Sequence, residues 1–141
     1  HLAAFFANQN SVDYPEKVSK IIMCSGKVFY DLASKRDNLG MDSTAIIRIE
    51  QLYPFPYDTL ENILKIYENA TSFIWCQEEP TNQGAWFNHR HRLQEVIDRL
   101  NLNKEIGLVS REASSAPAVG LNKLHIQQQE ALVIDALSIE K

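Results

Sequence analysis

The sequence predicts an α/β domain built on a mostly parallel sheet, and three observations support this fold class. Short runs of apolar, β-branched residues alternate with longer segments whose apolar residues recur at helical spacing. The chain has 141 residues, which suits one domain and is too short for two ordinary ones. Hydrophobic residues make up 45 % of it, enough for a core without disulfide or metal support. Elements in this order favour parallel strands, right-handed crossovers and helices on both faces of the sheet.

The first long strand and the first helix are predicted from a change of pattern at a glycine. Residues 20–25 form a mainly apolar run that is typical of a buried strand, and Gly26 ends it. Apolar residues at helical spacing then extend from Val28 to about Arg36. The turn residues that follow end this helix, with Gly40 as the glycine that caps its C-terminus.

The middle of the chain predicts two more strands with a helix between them. Residues 45–49 form the second strand, and the two prolines in 53–56 require an extended segment after it. Asp58 and Glu61 have the spacing of a capping box, so we expect a helix to start there. The apolar stripe of this helix consists of Leu60, Ile63, Leu64 and Tyr67. Residues 72–76 form the third strand.

The remaining elements continue the alternation. In order they are a loop at 80–84, a helix ending near Asn101, a strand at 106–109, a loop at 114–117 with Gly120, and a helix capped by Asn122. The apolar residues of the two helices are Leu93, Val96, Ile97 and Leu100, and then Leu124, Ala131, Leu132 and Leu137. At the N-terminus, the pattern suggests an edge strand at 4–7 and a loop at 8–17.

Charge and composition exclude several classes of protein. The formal net charge of −4 argues against a nucleic-acid binder or a binder of anionic membranes, both of which need basic surfaces. No apolar run approaches the roughly 20 residues that span a bilayer, and no signal peptide is visible. Because the chain opens with His1, we expect a processed product or a piece of a longer protein. Cys24 and Cys76 sit in apolar runs, which predicts buried, reduced thiols in a cytosolic or mitochondrial-matrix protein.

The loops that follow the parallel strands are the predicted place for a functional site. In open α/β sheets, ligands bind at the carboxyl ends of the strands, and here those loops are the most polar segments. Glu78 and Glu79 follow a strand; one of them could accept hydrogen bonds from the loop while the other faces solvent or a partner. The aromatic residues at this edge are Tyr53, Phe55, Tyr57 and Trp86. Structural packing is the favoured interpretation of the two tryptophans, Trp75 and Trp86. An aromatic cluster with few charges is, however, also typical of a protein–protein contact.

The remaining candidates for chemistry are weak. The turn Ser25-Gly26-Lys27 at a helix start could hold an anion, although it lacks the spacing of a P-loop and a tight turn is favoured. His89 and His91 are two residues apart on a helix and point to different sides, so we expect solvated surface and no joint metal site. Ser114 and Ser115 lack the frame of a nucleophile elbow. The residues alone therefore show no complete catalytic constellation.

Several longer stretches resemble the C-terminal domain of the first, decarboxylating component of 2-oxoglutarate dehydrogenase. They are CSGKVFYDL at 24–32, IRIEQLYPFP at 47–56, WCQEEPTNQGAW at 75–86, Arg111, SSAPAVG at 114–120, His125 and QQQ at 127–129. The resemblance covers residues 19 to about 137. It implies a three-layer α/β/α domain like the C-terminal domain of transketolase, with a sheet of about five strands and an antiparallel edge strand from the segment before Lys20.

The resemblance also implies a domain division and a site. Residues 1–18 would be an N-terminal edge segment or linker, and 19–141 the α/β domain. The first and third parallel strands would be neighbours, so that 25–27 and 77–84 form the two walls of a crevice. The candidate crevice and interface residues are Ser25, Lys27, Gln77, Glu78, Glu79, Asn82, Gln83, Trp86 and Arg111.

The chemistry implied by the resemblance belongs to a longer parent enzyme. That enzyme decarboxylates 2-oxoglutarate with thiamine diphosphate and Mg²⁺ and succinylates the lipoyl group of the dihydrolipoyl succinyltransferase component, in the tricarboxylic acid cycle. Its preceding domains hold the cofactor, so no catalytic, cofactor-binding or metal residue is expected in this chain, which alone should be inactive. Its expected roles are packing against those domains and the second subunit, and docking of the succinyltransferase, in the bacterial cytoplasm or the mitochondrial matrix. The alternatives are an independent nucleotide- or anion-binding regulatory module that uses Lys27 and Arg111, and the same domain of a 2-oxoadipate dehydrogenase.

Overall fold

The computed structural model describes residues 5–6, 15–111 and 121–138, and in it a five-stranded sheet lies between two layers of helices. The strands are β1 (Phe5–Phe6), β2 (Lys20–Cys24), β3 (Thr44–Ile49), β4 (Ser72–Pro80) and β5 (Gly107–Arg111). The helices are α1 (Val28–Asn38), α2 (Tyr57–Lys65), α3 (Gly84–Arg99) and α4 (Leu121–Leu137). A short 3₁₀ turn at Pro15–Lys17 precedes β2, where the sequence predicts only loop.

The sheet has the strand order β1-β3-β2-β4-β5. Strands β3, β2, β4 and β5 are parallel, and β1 pairs antiparallel with β3 at the edge. The predicted α/β class, the mostly parallel sheet and the antiparallel edge strand are therefore confirmed. The first and third parallel strands, β2 and β4, are neighbours, as the resemblance implies.

Each face of the sheet carries its own core because successive side chains of a strand point to opposite faces. Ile21 and Met23 of β2 face α2 and α3, which contribute Leu60, Leu64, Leu93, Val96 and Ile97. Ile22 and Cys24 of the same strand face α1 and α4. All five residues of β2 are buried, as expected for a central strand covered on both sides.

The ends of α1 and α2 show one correct and one wrong prediction. Gly40 follows α1 with φ of +64°, and the N–H groups of Gly40 and Met41 donate to the carbonyls of Asp37 and Arg36. This is the Schellman pattern, so the predicted glycine cap is confirmed. The predicted capping box is wrong, because α2 starts at Tyr57 after Pro56 and no side chain caps it.

Several other boundaries differ from the predictions. Strand β4 continues through Pro80, with a bulge between Cys76 and Pro80, so that 77–80 are strand and not loop. Helix α4 starts at Leu121, which places the predicted cap Asn122 inside it, and Ala131 is exposed while Leu132 and Leu137 are buried. The predicted loop at 114–117 and 120, and most of the predicted loop at 8–17, lie outside the described residues.

Candidate functional site

The cavity at the carboxyl edge of the sheet lies between the loops that follow the neighbouring strands β2 and β4. After β2 the chain passes to β3 on one side, and after β4 it passes to β5 on the other, so the two loops diverge. The space between them is a cavity of about 480 Å³. Its walls are Ser25, Gly26, Leu52, Trp75, Gln77, Glu78, Glu79, Gly84, Ala85, Asn88 and His89.

Gln77 organises the β4–α3 corner beside this cavity. Its side chain is only 3 % exposed, and its Oε1 accepts hydrogen bonds from Trp75 Nε1 at 3.0 Å and from the Trp86 backbone N–H at 2.9 Å. Its Nε2 donates to the carbonyls of Glu79, Pro80 and Gln83 at 3.1, 2.9 and 2.8 Å. Every polar atom of this buried amide therefore has a partner, and the amide fixes the start of α3 relative to β4.

Gly84 allows the corner to close tightly. Its φ is +69°, a conformation that L side chains rarely adopt. A Cβ placed on it would lie 3.1 Å from Gln77 Oε1 and 3.1 Å from the Cβ and Cδ atoms of Glu79. The first residue of α3 must therefore be a glycine both for its backbone conformation and for the close approach of β4.

The polar surface of the cavity is acidic. Glu78 is half-buried and Glu79 is exposed, and neither carboxylate has an ion pair or hydrogen bond with a residue in the described ranges. Burial lowers the pKa of His89 on the opposite wall, and the nearby positive charge of Arg92 acts in the same direction. His89 is therefore harder to protonate than an ordinary histidine and does little to balance the carboxylates, so the cavity disfavours a bound diphosphate.

The structure brings together some of the predicted site residues and separates others. Ser25, Gln77, Glu78 and Glu79 line the cavity. Lys27, Asn82 and Gln83 are exposed near it without forming its walls. Trp86 turns away and stacks with Arg90, whose guanidinium lies 5.6 Å from the ring centroid. Neither of the predicted carboxylates accepts a hydrogen bond from the described loop, where the backbone N–H of Trp86 donates to Gln77 Oε1 instead.

Arg111 belongs to a different part of the molecule. At the end of β5 it contacts α4, where Nη1 lies 2.9 Å from His125 Nδ1 and Nη2 donates to Gln129. Gln129 in turn donates to Asp31 of α1 at 2.8 Å. Arg111 therefore links the sheet to the α1–α4 layer, and Lys27 and Arg111 do not converge on the cavity.

Some residues of the cavity were missed by sequence reasoning. His89 was predicted as solvated surface, but its ring stacks on Phe55 at 6.0 Å and it lines the cavity, whereas His91 is exposed as expected. Ala85, Asn88 and His89 have the i, i+3, i+4 spacing of one helix face, which is the signal that could have identified them. Of the predicted aromatic cluster, Phe55 packs on Tyr57 at 4.8 Å, and Tyr53 is 86 % exposed.

The described side chains form neither a metal-binding cluster nor an activated thiol. Among residues 15–111 and 123–138, no three His, Cys, Asp or Glu side chains are placed to hold a metal ion. Cys24 and Cys76 are register partners in β2 and β4 and are both buried and free. Burial raises the pKa of both thiols, that of Cys76 to about 12, so neither is an activated nucleophile. In the same described ranges, the helices are too short or too polar to cross a bilayer.

Comparison with known proteins connects this fold to one family. A family model described as "2-oxoglutarate dehydrogenase C-terminal" matches residues 4–137. The 2-oxoglutarate dehydrogenase E1 component of Azotobacter vinelandii is 45 % identical over 125 residues, 89 % of this chain and 13 % of that protein. The proteins of the same name from Coxiella burnetii and Haemophilus influenzae are 51 % and 46 % identical, covering 89 % and 88 % of the chain and 13 % of each relative.

These matches confirm the resemblance seen in the sequence motifs. They also show that the chain spans only about 13 % of the length of the curated relatives. The parallel sheet, its antiparallel edge strand and the β2–β4 crevice are the features that the resemblance implied. The chain belongs to the 2-oxoglutarate dehydrogenase C-terminal family.

Proposed function

We propose that this chain is the non-catalytic C-terminal domain of a 2-oxoglutarate dehydrogenase E1 component. The observation that carries this proposal is the identity of 45 to 51 % with proteins of that name over 89 % of the chain but only 13 % of their length. The described residues support such a role, because they form an α/β core on both faces of the sheet, as expected of one domain of a larger enzyme. Since the relatives carry the name 2-oxoglutarate dehydrogenase, we favour that parent over a 2-oxoadipate dehydrogenase.

In this proposal the parent enzyme decarboxylates 2-oxoglutarate and succinylates the lipoyl group of the dihydrolipoyl succinyltransferase component, in the tricarboxylic acid cycle. Thiamine diphosphate supplies the electron sink for the decarboxylation when it is bound. We assign the parent to the bacterial cytoplasm, which the bacterial sources of the relatives support. The activity then belongs to the whole enzyme, and this chain alone is inactive.

The described residues do not fit a site for thiamine diphosphate and Mg²⁺. The cavity presents Glu78 and Glu79 and is lined by no Lys or Arg within the described ranges, so it disfavours a diphosphate. We therefore expect other parts of the parent to hold the cofactor. The same charge argues against the nucleotide-binding alternative, because Lys27 and Arg111 lie apart from the cavity walls.

For the domain itself we propose a packing role at the carboxyl edge of the sheet. Residues 19–141 would form the domain and 1–18 its edge segment or linker. The proposed contact residues toward the other domains and the second subunit are Ser25, Lys27, Glu78, Glu79, Asn82, Gln83 and Trp86, whereas the predicted Gln77 is buried in the corner and Arg111 is bound to α4. The exposure of Lys27, Glu79, Asn82 and Gln83 supports this assignment for the rim of the cavity.

A domain exchange tests the proposal. The C-terminal part of the Azotobacter vinelandii relative is replaced by this chain, and CO₂ release from 2-oxoglutarate is measured with thiamine diphosphate and Mg²⁺ present. We expect the chimera to be active and the truncated relative without this part to be inactive. Full activity of the truncated relative, or an inactive chimera that is folded, would contradict the proposed function.

Calorimetry separates the alternative. Titration of this chain with adenine nucleotides should release no heat of binding, because the cavity lacks cations in its described walls. Saturable binding of an adenine nucleotide to the isolated chain would favour the regulatory module over the packing domain.

A further inference from the structure

A groove on the other helical layer is independent of the cavity described above. It lies between α1 and α4 and has a volume of about 470 Å³. Asp31 and Lys35 contribute to its α1 wall, and Ile126, Glu130 and Ile134 to its α4 wall. The last three residues are spaced i, i+4 and i+8, so they form one row along the helix.

The α4 wall exposes apolar side chains to solvent. Ile126 and Ile134 are 51 % and 56 % exposed, although the same helix already buries Leu132 and Leu137 against the sheet. A helix that is apolar on more than its core-facing side is typical of one that is covered on both sides. Other exposed apolar residues, such as Ile66 and Phe87, do not line this groove and need no special explanation.

A chain of polar contacts joins the two helices that form the groove. Gln129 of α4 donates to Asp31 of α1 and is itself bound by Arg111 of β5, so the separation of the two helices is fixed before anything binds. Such a preformed groove binds a partner with little further loss of conformational freedom. Lys35 and Glu130 on opposite walls have no ion-pair partner in the described part of the chain. They are available to charged groups of an occupant.

We propose that this groove docks an amphipathic helix from the remainder of the longer polypeptide. This inference rests on the proposed function, in which most of the parent lies outside this chain, since the chain spans only 13 % of its relatives. An amphipathic helix suits two facing helical rows, because its apolar side chains can cover Ile126 and Ile134. Its polar flanks would carry an acidic group toward Lys35 and a basic group toward Glu130.

Cysteine labelling of the chimera tests the docking. Ile134→Cys is placed in the groove and Ile66→Cys, 57 % exposed in the wild type, serves as the matched control outside it. Each variant is treated with a maleimide both in the isolated chain and in the chimera with the Azotobacter vinelandii relative. We expect the groove cysteine to react about tenfold more slowly in the chimera, which corresponds to ~1.4 kcal/mol of protection. The control should react equally in both.

Each outcome decides between occupants. Equal reactivity of the groove cysteine in both proteins overturns the docking even when the chimera is active. Protection in the isolated chain that grows with its concentration assigns the groove to a second copy and also overturns the proposal. Decarboxylation by the chimera is read separately, so a failure of the proposed function and a failure of the docking are distinguishable.

Discussion

Replacing Gln77 by methionine should destabilise the domain through the β4–α3 corner. Methionine preserves the length of the side chain but removes all five of the hydrogen bonds made by the amide. The indole N–H of Trp75 and the backbone N–H of Trp86 then lose their acceptor, and Trp75 is only 1 % exposed. A buried polar group without a partner costs about 1–3 kcal/mol, so two of them should lower the free energy of unfolding by about 3 kcal/mol.

The measurement is urea unfolding followed by tryptophan fluorescence. The matched control is Gln127→Met on an exposed turn of α4, which should change the free energy of unfolding by less than about 0.5 kcal/mol. The midpoint for the Gln77 variant should fall while the slope m is unchanged, because the native fold remains the same. A loss below about 1 kcal/mol would refute the assignment of Gln77 as the group that fixes this corner.

Three further predictions concern the glycines, the thiols and a buried lysine. Gly84→Ala should lower the free energy of unfolding, measured by urea titration, by at least ~1 kcal/mol more than Gly40→Ala. Both glycines have a positive φ, but only a Cβ at position 84 would meet atoms of β4. Equal losses for the two variants would contradict the close approach of β4 to Gly84. Cys24 and Cys76 should not react with a thiol reagent until urea unfolds the chain, since burial raises the pKa of both; prompt reaction of the native protein would disprove it. Lys20→Met should lower the free energy of unfolding by about 2 kcal/mol, because the Nζ of this 5 %-exposed lysine donates to the carbonyl of Ser138, just beyond α4. An unchanged free energy of unfolding would show that this hydrogen bond does not stabilise the domain.

The sheet was predictable because its strands leave a strong signal. Residues such as Ile21, Ile22, Ile46 and Ile47 form short β-branched runs that are buried on both faces, and the turn glycines Gly26 and Gly40 mark their connections. The order of the strands does not follow from such runs, since pairing depends on contacts between distant segments. The family resemblance provided it, through the expected neighbours β2 and β4.

The cavity was only partly predictable, because its walls depend on tertiary contacts. Strand β4 extends past Cys76 since the buried Gln77 amide binds the backbone of the following residues, which no local pattern shows. Lys27 and Arg111, the cations of the nucleotide-binding alternative, do not line the cavity, and Arg111 instead contacts His125 of α4. Capping at Asp58 failed because Pro56 already sets the start of α2, which leaves Asp58 to contact Arg99.

The most direct test of a packing domain without its own chemistry is an assay of the chain alone. CO₂ release from 2-oxoglutarate is measured with thiamine diphosphate and Mg²⁺ added, beside the intact Azotobacter vinelandii relative as the positive control. We predict no release above the rate without protein, because the acidic cavity and the described side chains offer no place for the cofactor. Turnover by the isolated chain would contradict the account.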